Sequence, residues 1–329
     1  MRIAILLCLA VLAGCGAPEA PGGKLAVAVL GDSDSHAYHD SVNGVRRGGA
    51  NNGKTFNWLE VWSALRPAEI DPGPLARAGD HRFVARLKGL VGVPARTPAK
   101  LDYLYDYAWS GARCASLTAD WPEQARLLST RLKAEPARWA DGLVVIRIGV
   151  NDFGQAEHLH VWAQSPEAAA PVVDRCLAVI ADAVASIRKH SSAYVALVGV
   201  ARDYNTPFAD ETVVADADVP AVEGALARFD AGLQAIAARH PRIAFIEDAG
   251  FEARFGSRAH GRLVESVSIG GLTLLNAAGD DAVYAHTADG HPGAVASGLF
   301  LQFFIARLNE AFGWRLSVPS DEEIVALAR

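Results

Sequence analysis

The chain has 329 residues, of which 51% are hydrophobic and 21% are charged, and its formal net charge is −6. This length fits one large domain or two small ones, and it allows a sizeable core. The sequence contains no basic patch or stripe, so nucleic acid is not an expected partner. It also lacks the internal repeats and low-complexity tracts that would indicate a repeat protein or a disordered one.

Residues 1–14 predict an export signal. Arg2 precedes an apolar run from Ile3 to Ala13, which is too short to span a bilayer and fits the core of a signal peptide. The sequence "LAGC", which ends at Cys15, resembles the bacterial lipobox. This resemblance implies cleavage before Cys15, a diacylated cysteine and, because Gly16 follows, an outer-membrane location in the cell envelope. An ordinary secretory signal that contains a cysteine is the alternative.

The next residues predict a tether and then one continuous domain. Residues 15–23, "CGAPEAPGG", are rich in Gly, Pro and Ala, which is typical of a flexible linker. No further linker interrupts residues 24–329, which we therefore interpret as a single domain.

Within that domain, apolar runs alternate with helical patterns. A short apolar run at 25–30 predicts a buried strand, a Gly/Asn-rich loop follows at 41–57, and 101–108 predicts a weaker strand. A helix is expected within 120–132, a strand at 142–150, a helix at 165–190 and a strand at 193–201. A helix at 218–240, a strand at 242–248, a Gly-Gly hairpin at 263–275 and a helix at 293–312 complete the pattern. This alternation predicts a three-layer α/β/α sandwich with a mostly parallel central sheet.

Four cysteines are present, and two of them belong to the predicted signal segment. Cys8 would leave with the signal peptide and Cys15 would carry lipid. Cys114 and Cys176 remain as candidates for a disulfide, since disulfides persist in exported proteins. Two separate buried thiols are the alternative.

Reactive residues follow several of the predicted strands. "GDS" at 31–33 ends the first strand, "WSGA" follows the weak strand, "GVND" at 149–152 ends another, and "ADGHPG" precedes the last helix. Ligands of open α/β sheets bind at the carboxyl ends of the strands. These four blocks, in this order, resemble those of the SGNH/GDSL hydrolase family, and they cover essentially the whole mature chain.

The resemblance implies a flavodoxin-like fold and a role for each matching residue. Ser33 would be the nucleophile and His291 the general base, because a serine hydroxyl needs such a base to react. The backbone N–H groups of Ser33 and Gly111 and the amide of Asn151 would form an oxyanion hole. The family places its acid three residues before the histidine, where this chain has Ala288. Asp289 is therefore our candidate acid, and a Ser-His dyad is the alternative.

Plainer structural roles compete with some of these interpretations. Asn151 could cap a turn and Gly111 could be an ordinary turn glycine. Arg46 and Arg47 could clamp an anionic substrate or be solvated. Trp109 is a candidate for lining the pocket, whereas Trp58 and Trp62 have the spacing of a helix packed on a core. The histidines at 36, 39, 158 and 160 lack the spacing of a metal site, so neither a metal nor another cofactor is expected.

Taken with the resemblance, these residues predict a lipid-anchored serine ester hydrolase. A small acyl group is expected, plausibly acetyl on a carbohydrate, because an extracytoplasmic protein meets polysaccharide. An O-acetyltransferase would need the same residues. An inactive binding lipoprotein of the same fold would explain the altered position of the acid.

Overall fold

A computed structural model describes residues 23–93, 95–121, 123–209 and 212–329. The predicted signal peptide, Cys15 and all of the tether but Gly23 lie outside these residues. Among the described helices, none combines the length and apolar character needed to cross a bilayer.

The strands and helices alternate along most of the described chain. The strands are β1 (Leu25–Gly31), β2 (Ile70–Asp71), β3 (Leu75–Ala78), β4 (Lys100–Tyr103), β5 (Leu143–Arg147), β6 (Tyr194–Val198), β7 (Ile243–Ile246), β8 (Gly256–Ser257), β9 (Arg262–Leu263), β10 (Ser266–Ile269), β11 (Leu272–Ala278) and β12 (Tyr284–His286). The helices are α1 (Trp58–Leu65), α2 (Arg82–Leu90), α3 (Gln124–Ala134), α4 (Pro136–Trp139), α5 (Ala156–Gln164), α6 (Ala169–His190), α7 (Val219–Ala237), α8 (Glu252–Phe255), α9 (Ala294–Phe312) and α10 (Asp321–Ala328).

The central sheet has five parallel strands in the order β2-β1-β5-β6-β7. Counted among themselves, these strands follow the flavodoxin-like order 2-1-3-4-5. Alternate residues of β1 enter different cores because successive side chains of a strand point to opposite faces. Ala28 and Leu30 pack with α3, α6 and α7, whereas Val27 and Val29 pack with α1 and α9. The three-layer α/β/α prediction is confirmed.

The strand predicted at 101–108 is present only in part. Residues 101–103 belong to β4, which pairs with β3, and the remaining residues touch β1 through an isolated bridge between Val29 and Asp106. The fifth strand of the central sheet is therefore β2. Two aspartates explain the difference, because their side chains take backbone donors that a strand would use. Asp102 accepts from the N–H of Tyr103 at 2.7 Å, and Asp106 accepts from that of Ala108 at 2.8 Å.

The hairpin predicted at 263–275 is present as β10 and β11. Gly270 and Gly271 turn the chain with φ values of 50° and 76°, a backbone conformation that favours glycine. β12 adds to β11 in parallel and leads into the loop that carries His291. The small sheet thus brings the C-terminal block towards the carboxyl edge of the central sheet.

Candidate active site

Ser33 lies directly after β1, at the switch point between β1 and β5 where this strand order places ligands. The Gln124 side chain fixes the end of the strand: its Oε1 accepts from the N–H of Gly31 at 2.8 Å, and its Nε2 donates to the Gly31 carbonyl at 2.9 Å. A Cβ at position 31 would lie 2.5 Å from the Arg147 carbonyl oxygen, so close strand packing requires glycine here. Ser33 itself lines a cavity of about 310 Å³.

His291 and Asp289 line the same cavity, on the loop between β12 and α9. The Asp289 Oδ1 atom lies 3.3 Å from His291 Nδ1. The turn that permits this contact has Gly290 at φ 88° and a hydrogen bond of 2.8 Å from the Thr287 N–H to the His291 carbonyl. The two-residue spacing therefore brings acid and imidazole together. Among the described residues, no hydrogen bond joins Ser33 to His291.

Arg47 is the unexpected member of this cluster. Its guanidinium pairs with Asp289, and Nη1 lies 2.7 Å from His291 Nδ1. The side chain is only 6% exposed and sits 5.2 Å from the centre of the Tyr38 ring. Arg47 thus pairs with the candidate acid and lies beside the candidate base. Because a guanidinium can only donate, its contact with Nδ1 and the Asp289 contact with Nδ1 require opposite tautomers of His291.

These contacts determine the charge of Asp289. Burial favours its neutral form, but hydrogen bonds from His291 and Thr287 and the charges of His291 and Arg47 outweigh burial and lower the pKa well below its usual value. Asp289 is therefore ionised at neutral pH, the state that can stabilise an imidazolium at His291.

The candidate oxyanion donors lie on three segments: Ser33 follows β1, Gly111 lies in the loop before Cys114, and Asn151 follows β5. Gly111 has φ 83°, and neither its N–H nor that of Ser33 donates to an acceptor among the described residues. Asn151 Nδ2 donates to the Ala112 carbonyl at 2.8 Å, which leaves its second N–H for another acceptor. Asn151 follows β5 and thus joins the Gly111 loop to the central sheet.

Two further contacts hold the loop after Gly111. Asp152 Oδ2 accepts from the N–H of Cys114 at 2.8 Å. Cys114 forms a disulfide with Cys176 of α6, with their Cα atoms 5.2 Å apart. The loop is therefore fastened to both β5 and α6.

A buried histidine supports the loop before Gly111. The His36 Nδ1 atom accepts from the backbone N–H of Ser110 at 3.2 Å and lies 3.0 Å from the Ser110 hydroxyl. Its Nε2 atom therefore carries the proton and donates to Asp40 at 2.9 Å. Burial lowers the pKa of His36, so the ring is neutral. Ser110 lies 3.4 Å from Arg47 Nη2, and this contact connects the oxyanion loop with the Asp289–His291 pair.

The inner wall of the cavity is acidic and aromatic. Arg147 pairs with Asp248 at 2.6 Å and with Asp34 at 3.2 Å, below the ring of Phe300. Asp32, which is not part of this wall, is buried beside Ser33, and this burial, reinforced by the charge of Asp34, raises the pKa of Asp32 to about 8.

Other candidates from the sequence have structural roles. Trp58 and Trp62 pack in the core as predicted, and Trp58 also lines the cavity. Trp109, the candidate for lining the pocket, is partly buried against the core and is not among the residues that line the cavity. The described residues contain no group of His, Cys, Asp and Glu that could hold a metal ion.

Replacement of Asn151 by alanine tests the oxyanion assignment. We expect turnover to fall by about a hundred- to a thousandfold, the usual effect of losing one such donor. The measurement is kcat on an activated ester, with thermal unfolding as a check of the fold. Asn43→Ala, the same change at an exposed position, is the control. An unaltered rate in Asn151→Ala would show that Asn151 is not an oxyanion donor and only binds the Ala112 carbonyl.

Comparisons with known proteins find similar solved structures but no family. No protein-family model matches the chain, and no curated protein matches it. Three solved structures align over most of the chain. They are an extracellular lipase from Streptomyces rimosus (17% identity, 87% of this chain and 99% of that one, TM-score 0.47), a catalytic mutant of an acetylxylan esterase from Geobacillus stearothermophilus (14%, 89% and 95%, 0.42) and phospholipase A1 from Streptomyces albidoflavus (15%, 88% and 99%, 0.40).

Proposed function

We propose that this protein is a serine ester hydrolase. One observation carries the proposal: Ser33, His291 and Asp289 line a single cavity, with the Asp289 carboxylate 3.3 Å from His291 Nδ1. Nucleophile, base and a group that orients the base are the parts that acyl transfer through a serine requires.

The chemistry follows from these parts. In the tautomer that carries its proton on Nδ1, facing Asp289, His291 can act as base at Nε2. The Ser33 hydroxyl then attacks the ester carbonyl and transfers its proton to His291 Nε2. The N–H groups of Ser33, Gly111 and Asn151 donate hydrogen bonds to the carbonyl oxygen and stabilise the negative charge that develops on it. The tetrahedral intermediate then collapses and expels the alcohol, which takes the proton from His291. Water, deprotonated by His291, attacks the acyl-serine. The bond between the acyl group and the Ser33 oxygen then breaks, the acid is released, and Ser33 takes the proton back from His291.

The size and lining of the cavity favour a small substrate with polar groups. Its volume of about 310 Å³ is at the lower end for ligand pockets. Carboxyl groups on its wall can accept hydrogen bonds from hydroxyls, and the rings of Trp58 and Phe300 offer apolar faces. We therefore propose a short acyl ester, with acetyl on a carbohydrate as the specific candidate.

A series of p-nitrophenyl esters from acetate to octanoate tests this function, together with an acetylated polysaccharide. We expect kcat/KM to be highest for acetate and to fall with acyl length, and acetate to be released from the polysaccharide. Activity that rises towards octanoate would contradict the short acyl group. The absence of turnover on every ester would contradict the enzyme itself.

The proposed location is the outer membrane, through lipid on Cys15. The sequence before Cys15 supports it, as described above. We expect mass spectrometry of the mature protein to find a diacylglyceryl group at Cys15. Cys15→Ser should abolish this modification and release or misprocess the protein. A mature N-terminus at any other residue would contradict the proposal.

A further inference from the structure

The connection between β3 and β4 exposes an unusual amount of apolar surface. It contains α2, in which Ala85 is the buried residue and most other apolar side chains face outward. Leu90 is 82% exposed and Phe83 66%. The apolar residues that make up this surface, called the α2 surface below, are Leu75, Phe83, Val84, Leu87, Leu90, Val91 and Val93.

Such a concentration of apolar side chains in one short segment is not ordinary surface. Single exposed apolar residues need no explanation, but clusters rimmed by polar groups mark sites of interaction. Beyond this segment, the large apolar side chains exposed in the described residues are scattered: Val161, Phe208 and Val318. A binding partner that covered the α2 surface would remove these apolar side chains from water, which favours binding.

The charge of the same segment is opposite to that of the chain. Residues 75–93 contain four basic side chains and one acidic side chain, whereas the whole chain has a net charge of −6. The acidic one, Asp80, pairs with Lys88 at 2.8 Å. Arg77, Arg82 and Arg86 are exposed, and within the described residues none of them has a carboxylate partner.

A short amphipathic helix with exposed apolar side chains and basic neighbours fits a lipid interface. Its apolar residues enter the boundary between headgroups and acyl chains, and its basic residues bind anionic headgroups. An apolar groove on another protein would accommodate Phe83 and Leu90, but it would not by itself account for three unpaired arginines. An anionic bilayer accounts for the apolar helix face and the basic residues beside it together. A second copy of this chain, which is acidic overall, is the competing occupant that the experiment below separates.

The segment also lies at the carboxyl edge of the central sheet. At the start of β4, the Lys100 ammonium binds the carbonyl of Ala108, two residues before Ser110. The next N–H, of Leu101, donates to Asp40 at 2.8 Å, and Asp40 holds His36 behind the oxyanion loop. The strand that follows the α2 connection is thus tied to the loops around the candidate active site.

From these observations we propose that the α2 surface docks on the surface of an anionic lipid bilayer. This contact is separate from the predicted acyl chains on Cys15 and does not depend on esterase activity. It would hold the domain against the bilayer, in addition to the two-chain anchor predicted on Cys15.

Site-specific photocrosslinking tests the contact in the full chain. p-Benzoylphenylalanine replaces Leu90 in one protein and Val318, which is 43% exposed, in the matched control. Both proteins are illuminated on vesicles of phosphatidylglycerol and phosphatidylcholine in equal parts, and on vesicles of phosphatidylcholine alone. Because the N-terminal segment is the same in both, a difference between positions 90 and 318 reports on α2.

We expect lipid adducts at position 90 on the anionic vesicles and few at position 318. Reversing the charge with Arg82→Glu and Arg86→Glu should reduce the adducts at position 90 by at least about tenfold, because each basic residue near an anionic surface contributes roughly fivefold. High salt should also reduce them.

Three results would overturn the proposal. They are equal adduct yields at positions 90 and 318, equal yields on anionic and neutral vesicles, and crosslinks from position 90 to a second copy of the chain instead of lipid. The last result would assign the α2 surface to self-association.

Discussion

Ser33→Ala is expected to abolish ester hydrolysis, with a loss in kcat on the order of a millionfold, as when a serine protease loses its nucleophile. The same substitution should abolish labelling by a fluorophosphonate probe, which forms a covalent bond to an activated serine oxygen and releases fluoride. Labelling is measured on the folded protein, and the labelled peptide is identified by mass spectrometry.

Two other serines make this experiment specific. Ser297 lines the same cavity from α9, so Ser297→Ala is the matched control and should keep both labelling and activity. Ser35 is fully buried, and its hydroxyl accepts from Trp58 Nε1 at 3.0 Å, so it is not expected to react. Probe attached to Ser35 would show that the wrong serine of the "GDSDS" block was chosen.

Asp289→Asn is expected to lower turnover by at least about a hundredfold at neutral pH, a cautious fraction of the ten-thousandfold loss known for the acid of a serine protease triad. Asparagine cannot provide the negative charge that stabilises an imidazolium at His291. It would also leave the Arg47 guanidinium beside that ring without its carboxylate. The measurement is kcat with a saturating activated ester, and His291→Ala should be inactive in the same assay.

The matched control is Asp281→Asn, which makes the same change at an exposed position outside the cavity. Combining Asp289→Asn with Arg47→Met should restore part of the lost turnover, because it removes the positive charge that opposes the imidazolium. A rate for Asp289→Asn within a few-fold of wild type, together with an inactive His291→Ala, would establish a Ser-His dyad.

Much of the fold was predictable because its signals are local. A strand buried on both faces must be continuously apolar, and β1, β5, β6 and β7 each lie within such a run. The four motif blocks could be placed at the ends of strands for the same reason. The topology then brings those ends to one edge of the sheet, so residues distant in sequence could be expected to meet.

The part that could not be predicted depends on contacts between distant segments. Arg47 lies in a Gly/Asn-rich loop whose composition predicts solvent exposure. Nothing beside it in the sequence indicates Asp289 or His291 as its partners. His36 likewise shows no sign of its contact with Ser110. The two-residue strand β2 is too short to have a pattern. The sequence shows that Gly290 permits a tight turn of the backbone. It does not show that this turn brings Asp289 close to His291.

The distance along the chain between Ser33 and His291 has a consequence for the biogenesis of this protein. Synthesis delivers Ser33 among the first residues, but His291 arrives only with the last segments, and α9 must pack on α1 and the sheet to hold its loop. A nascent or still unfolded chain therefore carries a serine without its base. Esterase activity would begin only where folding finishes, and proteolytic loss of the C-terminal helices would end it while leaving the nucleophile in place.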